Sequence, residues 1–427
     1  MEYFRIEGGH RLSGTITPMG NKNAALPLLA ASLLTDDTLH LHNVPDIGDV
    51  HTKLALLSKL GVAVQEHDAN CYSLTAQDIG ERQPDLDLSR QIRTAILLAG
   101  PLLARRGHVS IGRPGGDRIG RRRLDTHFLA LQALGADIEI GADRFQLRAD
   151  RLKGCDIFLD EMSVTGTEQA IFGAVLAEGV TTLSNVATEP HVQEVCHCLN
   201  AMGAKIEGIG THHLVIEGVS RLHGATYAVG PDYMEVGSLI GLAAATRSGL
   251  RICEAHPAQH RMTRIMFGRL GVSWEEDGLD IIVPPDQALQ VQSDFDGTVP
   301  KIDDMPWPGF PPDLISIALV VATQARGTVL IHQKMFDRRL VFVDRLIDMG
   351  AGIVLCDPHR AVVMGPTPLR GERLVSPDIR AGMALVIAAL AADGVSTIHN
   401  IGQIDRGYER LEVRLQHLGA HIERLSE

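Results

Sequence analysis

A short triplet of Leu or Met, then Gly, then Val or Ala recurs six times along the 427 residues, and no other feature narrows the available folds as much. It stands at Leu60-Gly61-Val62, Leu134-Gly135-Ala136, Met202-Gly203-Ala204, Leu270-Gly271-Val272, Met349-Gly350-Ala351 and Leu418-Gly419-Ala420, with steps of 74, 68, 68, 79 and 69 residues between glycines. Each glycine follows an amphipathic segment such as Leu411–Leu418 and precedes a short alternating one such as Ala136–Ile140. Glycine just past a helix end is the expected cap, because that position wants a left-handed backbone. Upstream in each unit lies an apolar helix that gives way to a strand: Asn23–Leu34 before Thr38–Leu41, Thr167–Glu178 before Thr181–Leu183, and Ile379–Asp393 before Ser396–Ile398. Helices apolar nearly all round belong in a core. Units of about 70 residues are too long for solenoid repeats. The pattern predicts an α/β fold of α+β layers. Three units make a domain of ordinary size, so the chain divides into two three-unit domains with a cleft between them suited to a small molecule.

Bulk properties exclude several roles. A net charge of −12 argues against a general nucleic-acid surface. Met1-Glu2-Tyr3 runs into a polar strand with no charged-then-apolar leader, which predicts no signal peptide. No apolar run approaches the roughly 18 residues of a membrane span. The six cysteines are scattered, which favours free thiols in a reducing cytoplasm. Cys196-His197-Cys198 is not read as a metal site. Helix positions i and i+2 point apart, and no second ligand pair sits at zinc spacing.

Charged residues gather at equivalent places in the units. The apolar helices begin near Lys22-Asn23, Arg93, Ser163–Thr167, Asp232–Glu235, Asp313 and Asp378–Arg380, while loops after the following strands carry Arg113–Arg123, Glu189, Arg339 and Arg406. Helix starts offer free N–H groups and favour anions, so converging starts with arginines predict an anion site. Capping and solvation explain any one of these residues; the recurrence in register favours a shared site. The densest stretch, residues 113–125, holds five arginines and three glycines and suggests a mobile loop able to clamp a small polyanion. It lacks aromatic residues on which nucleic-acid bases could stack.

Asn21-Lys22-Asn23-Ala24-Ala25-Leu26-Pro27, Asn43-Val44-Pro45 with Asp49-Val50, Pro114-Gly115-Gly116 with Ile119-Gly120, and Ile404-Asp405-Arg406-Gly407-Tyr408-Glu409-Arg410 resemble segments of the UDP-N-acetylglucosamine enolpyruvyl transferase family. The resemblance runs from Arg5-Ile6-Glu7-Gly8-Gly9 to Ile422-Glu423-Arg424. It implies two inside-out α/β barrel domains, each three copies of one unit, with the active site in the interdomain cleft. One domain would span 22–230 and carry the mobile loop 113–123; the other would combine 1–21 with 231–427. The implied activity is transfer of the enolpyruvyl group of phosphoenolpyruvate to the 3-hydroxyl of UDP-N-acetylglucosamine, the first committed step of peptidoglycan synthesis. That step serves cell-wall biogenesis, cell shape and cell division. It would take place in the cytoplasm, without metal or organic cofactor and without membrane or nucleic-acid partners.

Residue by residue, the resemblance implies phosphoenolpyruvate contacts from Lys22, Asn23, Arg122, Arg339, Arg380 and Arg406. The UDP-sugar would meet Asn23, Arg93, Arg122, Arg123, Leu124, Asp125, Thr126, Ser163, Val164, Asp313 and Met335. Asp313 would take the hydroxyl proton. Asp117 occupies the loop position that is usually cysteine, the residue alkylated by the epoxide fosfomycin, and would donate a proton to C3. Lys22 and Arg406 are expected at element ends, where substitution costs little stability. Departures fall on the acceptor side: Arg123 where proline is common, Thr126 where leucine is common, and Pro312 where threonine is usual. They keep open a different nucleotide acceptor. A catalytically silent paralogue and an enolpyruvylshikimate-phosphate synthase stay open beside it.

Overall fold

A computed structural model describes residues 2–117 and 119–426, so Arg118 of the arginine-rich loop lies outside the described residues. The chain separates into two compact units: Met1–Met19, Arg118–Arg121 and Pro231–Glu427 form one, Gly20–Asp117 and Arg122–Gly230 the other.

All six signature glycines adopt positive φ, between 82° and 102°. In each case the next residue donates its N–H to the carbonyl five residues back, as Val62 does to Leu57 and Ala420 to Leu415, at 2.9–3.1 Å. This closure ends a helix while satisfying its last carbonyls, and only glycine enters it without a Cβ penalty.

Each unit is built on helices enclosed by small sheets. In the first, Tyr233–Ala245, Ile315–Gln324 and Ile379–Ala391 pack on one another. Every residue of Tyr233–Ala245 is buried, as the apolar composition requires. In the second, the corresponding elements are Lys22–Ala31, the 3-10 turn Arg93–Leu98 continued by Ala99–Arg106, and Val164–Ala174. This last helix starts three residues before the expected Thr167, where the Ser163 side chain accepts the Gly166 N–H and sets the start, and it ends at Ala174 rather than Glu178.

The unit of repetition is strand, buried helix, parallel strand, second helix and antiparallel hairpin. Asp156–Phe158 and Val180–Ser184 are parallel across the Val164–Ala174 helix, for example, and Lys205–Glu207 with His213–Glu217 completes that sheet. Five sheets have four strands and one has three; none closes on itself among the described residues. The three-stranded sheet belongs to the Arg93 repeat, where a helical turn, Leu86–Ser89, stands before the buried helix.

Two pairings explain why the division is discontinuous in sequence. Ser13–Ile16 pairs in parallel with Gly249–Ile252, and Ala225–Ala228 with Thr38–His42, so the two chain crossings exchange first strands. The strand Glu2–Glu7 inserts between Val395–His399 and the terminal strand His421–Ser426, antiparallel to both, and completes the last repeat.

Candidate active site

Lys22, Asn23, Arg93, Ser163, Val164, Asp313 and Arg380 lie at or just before the N-terminal ends of the apolar helices, and the other candidates lie on loops or at shorter elements. In the second unit the C-terminal ends of the apolar helices line one cavity of about 1060 Å³, together with Arg105, Arg106, Arg148, Arg151 and Arg221. None of the residues nominated from sequence lines it. Arg105 is engaged by Asp36 and by the carbonyls of Leu33, Thr35 and Ala76, and Arg151 by Glu178. The helix-start candidates stand at the opposite ends of these helices, and the cavity's cations largely hold helix ends together.

At the other end, Asn21 caps the Lys22–Ala31 helix by accepting the Asn23 N–H at 2.8 Å. Lys22 is buried and pairs with Asp49, Nζ to Oδ2 2.8 Å. The expectation that Lys22 contributes little to stability is thus corrected. An element end can still be deep inside a unit when the neighbouring helix, Gly48–Leu60, brings a carboxylate to meet it.

Arg93 donates to the carbonyl of Arg123 at 2.6 Å, while its Nε is buried without a hydrogen-bond partner. Burial, and then the neighbouring Arg122, pull its pKa down to about 10, against a smaller opposing effect of Glu161. Gly115 and Gly116, expected as a source of mobility, sit in close packing. A Cβ on Gly115 would fall 1.6 Å from the Arg90 carbonyl oxygen, and one on Gly116 would come 3.0 Å from the Arg93 Cβ. Asp117 follows them, half-buried.

The nucleotide-side residues form a polar network. Arg123 is exposed and pairs with Asp125 at 2.9 Å and Asp160 at 3.2 Å; buried Thr126 donates to the other oxygen of Asp160 at 2.7 Å. Leu124 precedes the Asp125–Ala133 helix and accepts its first N–H groups, from His127 and Phe128. Val164 opens the next buried helix behind its Ser163 cap.

In the first unit, Asp313 sits in a 3-10 turn, Pro312–Leu314, ahead of the Ile315–Gln324 helix. Its carboxylate bridges two buried guanidinium groups: Arg339 on Oδ1, and Arg380 on Oδ2 at 2.9 Å. Arg380 also reaches the Tyr408 hydroxyl at 3.2 Å and lies over its ring. Burial opposes the charge of Arg380. Tyr408, Asp313 and Asp232 more than offset it, so its pKa stands well above the ordinary arginine value. Asp378 accepts from Arg339 at 3.3 Å while capping its own helix. Arg339 Nε is a buried donor without a partner, as is Asn21 Nδ2. Such donors are rare in a folded protein and mark places where a ligand can supply the acceptor. Arg406 is half-buried and donates to Gln403 at 2.9 Å. Met335 is 39% exposed, its backbone held by Asp304.

The expectation of free N–H groups at the helix starts is only partly met. Side chains of Asn21, Ser163, Asp232 and Asp378 already cap four of the six. The starts at Arg93 and Ile315 carry no side-chain cap. Sequence reasoning missed Asp160 and Asp304 altogether. Asp304 is fully buried and accepts from Gln333 and the N–H groups of Lys334 and Met335. Burial raises its pKa, and those backbone donors work against the rise. A lone loop aspartate has no periodicity or spacing to flag it.

Comparison with known proteins places this geometry among relatives. Residues 6–415 match the family described as EPSP synthase (3-phosphoshikimate 1-carboxyvinyltransferase). The chain is 55% identical over 422 residues to the UDP-N-acetylglucosamine 1-carboxyvinyltransferase of Bradyrhizobium diazoefficiens, covering 99% of this chain and 98% of the relative. Proteins of the same name from Treponema denticola and Bacteroides thetaiotaomicron are 54% and 50% identical, with 99% and 100% of both chains covered. Among solved structures, the enolpyruvyl transferase NikO from Streptomyces tendae superposes with a TM-score of 0.89 at 24% identity, covering 100% of this chain and 99% of that one. EPSP synthase from Acinetobacter baumannii superposes at 0.75 with 18% identity over the whole of both chains.

Proposed function

The chain belongs to the carboxyvinyltransferase family that includes EPSP synthase, and from that premise we propose how its residues carry out the transfer. It is a transferase that moves the enolpyruvyl unit of phosphoenolpyruvate to the 3-hydroxyl of UDP-N-acetylglucosamine with release of phosphate, the first committed step of peptidoglycan synthesis. The observation that carries this assignment is identity of 50–55% to relatives named for that activity, over essentially their full length. No helix among the described residues is long and apolar enough to cross a membrane, and the reaction is placed in the cytoplasm as part of this reading.

The reaction needs cations for phosphate and carboxylate, a base for the hydroxyl and an acid for C3. The acceptor oxygen adds to C2 as its proton leaves, and C3 gains a proton. The resulting tetrahedral ketal then loses phosphate from C2 and a proton from C3, which restores the double bond. Lys22, Arg122 and Arg406 hold the phosphate and stabilise its departure, with Asn23 beside them. Arg339 and Arg380 hold the carboxylate. Their shared grip on Asp313 supports that role: the pair already accommodates one carboxylate. As the substrate carboxylate draws on the two arginines, Asp313 is released to accept the hydroxyl proton. Asp117 supplies the proton to C3. Arg93 and Ser163-Val164 take the diphosphate, Arg123, Leu124, Asp125 and Thr126 the uridine, and Met335 the sugar.

The ion pairs of Arg123 with Asp125 and Asp160 favour one second reading, an acceptor with a different base. Isolation of the product distinguishes the two. Incubation with phosphoenolpyruvate and UDP-N-acetylglucosamine should yield a 3-O-carboxyvinyl ether identifiable by NMR, and recovery of unchanged nucleotide sugar would favour the second reading.

A further inference from the structure

Among residues given no role above, Glu7, His10 and His421 converge in the first unit. Glu7 ends the strand Glu2–Glu7 and lies directly opposite His421, the first residue of the terminal strand. His10, three residues further on, returns over them. Its ring centroid is 3.9 Å from that of His421, and its Nε2 is 3.5 Å from Glu7 Oε1. One ligating atom from each side chain falls within a 4.8 Å spread.

The backbone that delivers His10 is fixed. Gly8 and Gly9 donate to the carbonyls of Gly394 and Leu390, both at 3.0 Å, and Gly9 adopts φ 82°. A Cβ on Gly8 would come 2.2 Å from the carbonyl oxygens of Ala389 and Ala392, so the turn takes this path only with glycine there. His421 is held in register by its own strand. The three side chains are thus presented by rigid elements while remaining open to solvent, which lowers the ordering cost of binding an ion.

We propose that Glu7, His10 and His421 form a binding site for a divalent transition-metal ion of the zinc type, with water completing the coordination. Two imidazoles and one carboxylate suit zinc, cobalt or nickel, whereas magnesium and calcium prefer oxygen ligands throughout. Ligands around one tetrahedral zinc lie roughly 3.3–3.6 Å apart, given bonds of about 2.0–2.2 Å. The His10–Glu7 edge already has that length. The other pairs, within 4.8 Å, would close by side-chain rotation at these partly exposed positions when the ion binds. A bound ion would tie the first strand to the last, across the pairing that completes the sixth repeat.

The test uses the full chain without a histidine tag, stripped with chelator. Cobalt titration is followed by visible d–d absorption, and thermal unfolding is compared with and without zinc. The wild type should show a band that saturates at one equivalent and a higher unfolding temperature with zinc. His10→Ala and His421→Ala should each bind about tenfold more weakly or worse and lose the thermal shift. Both positions lie at the surface, and circular dichroism checks that the variants are folded. No saturable band in the wild type, or identical titrations for the wild type and both folded variants, would overturn the proposal and leave an ordinary surface histidine–glutamate contact.

Discussion

Arg380 donates from Nε to Asp313 Oδ2 at 2.9 Å while Arg339 holds the opposite oxygen, so one carboxylate is shared between two buried guanidinium groups. Asp313→Asn keeps the shape and removes the charge. Its kcat should fall by two or more orders of magnitude with a smaller change in KM, because a proton acceptor acts mainly in the transition state. Loss of charge-assisted hydrogen bonds should also lower stability by about 1.5–3 kcal/mol, measured by denaturant unfolding. A normal kcat with only a raised KM would reassign Asp313 to ground-state binding.

Lys22→Ala should lose more than nine-tenths of turnover, which corresponds to at least about 1.4 kcal/mol of transition-state stabilisation. Because Lys22 is buried against Asp49, the variant should also be less stable by about 3–5 kcal/mol. The double variant Lys22→Ala, Asp49→Asn should recover much of that stability without recovering turnover. Recovery of both together would show that Lys22 acts through the fold rather than on the substrate.

His127 gives stability a defined pH dependence. The residue is 1% exposed, with Nε2 2.9 Å from the Thr165 hydroxyl. Burial first, and Arg93 and Arg122 after it, hold its pKa down at about 3. The unfolded chain takes up this proton below about pH 6.5. The contribution to stability is therefore complete above that pH and is lost as pH falls toward 3, at about 1.4 kcal/mol per pH unit. Unfolding midpoints of the wild type and His127→Gln, compared between pH 7 and pH 5, should converge as pH drops. Parallel curves would contradict a buried, neutral imidazole at this position.

How far the sequence can be read depends on range. Glycine caps and apolar helices follow from local chemistry, and the positive φ at Gly61 through Gly419 shows why the triplet recurs. The Asp313 cluster joins residues 26 and 67 positions apart, and no local pattern announces such a bridge. Lys22 reads as a residue at an element end, and its burial against Asp49 is a tertiary contact that the local sequence does not announce. The helix-start N–H groups read as available to a ligand, yet carboxylates such as Asp378 first satisfy the backbone of their own helix.

Asp117 should make the enzyme insensitive to fosfomycin. None of the six cysteines lies in the loop, and a carboxylate attacks an epoxide far less readily than a thiolate. After exposure to the drug, mass spectrometry should show no adduct on the wild type. Asp117→Cys should be active and alkylated, and Asp117→Ala inactive. An adduct on the wild type, or full activity in Asp117→Ala, would remove Asp117 from the mechanism.

The most direct measurement is phosphate release from phosphoenolpyruvate across a panel of acceptors: UDP-N-acetylglucosamine, 3-phosphoshikimate and nucleoside monophosphates. Release should require UDP-N-acetylglucosamine, match the carboxyvinyl ether formed one for one, and disappear in Lys22→Ala. Release with another acceptor but not with UDP-N-acetylglucosamine, or no release with any of them, would contradict the assignment.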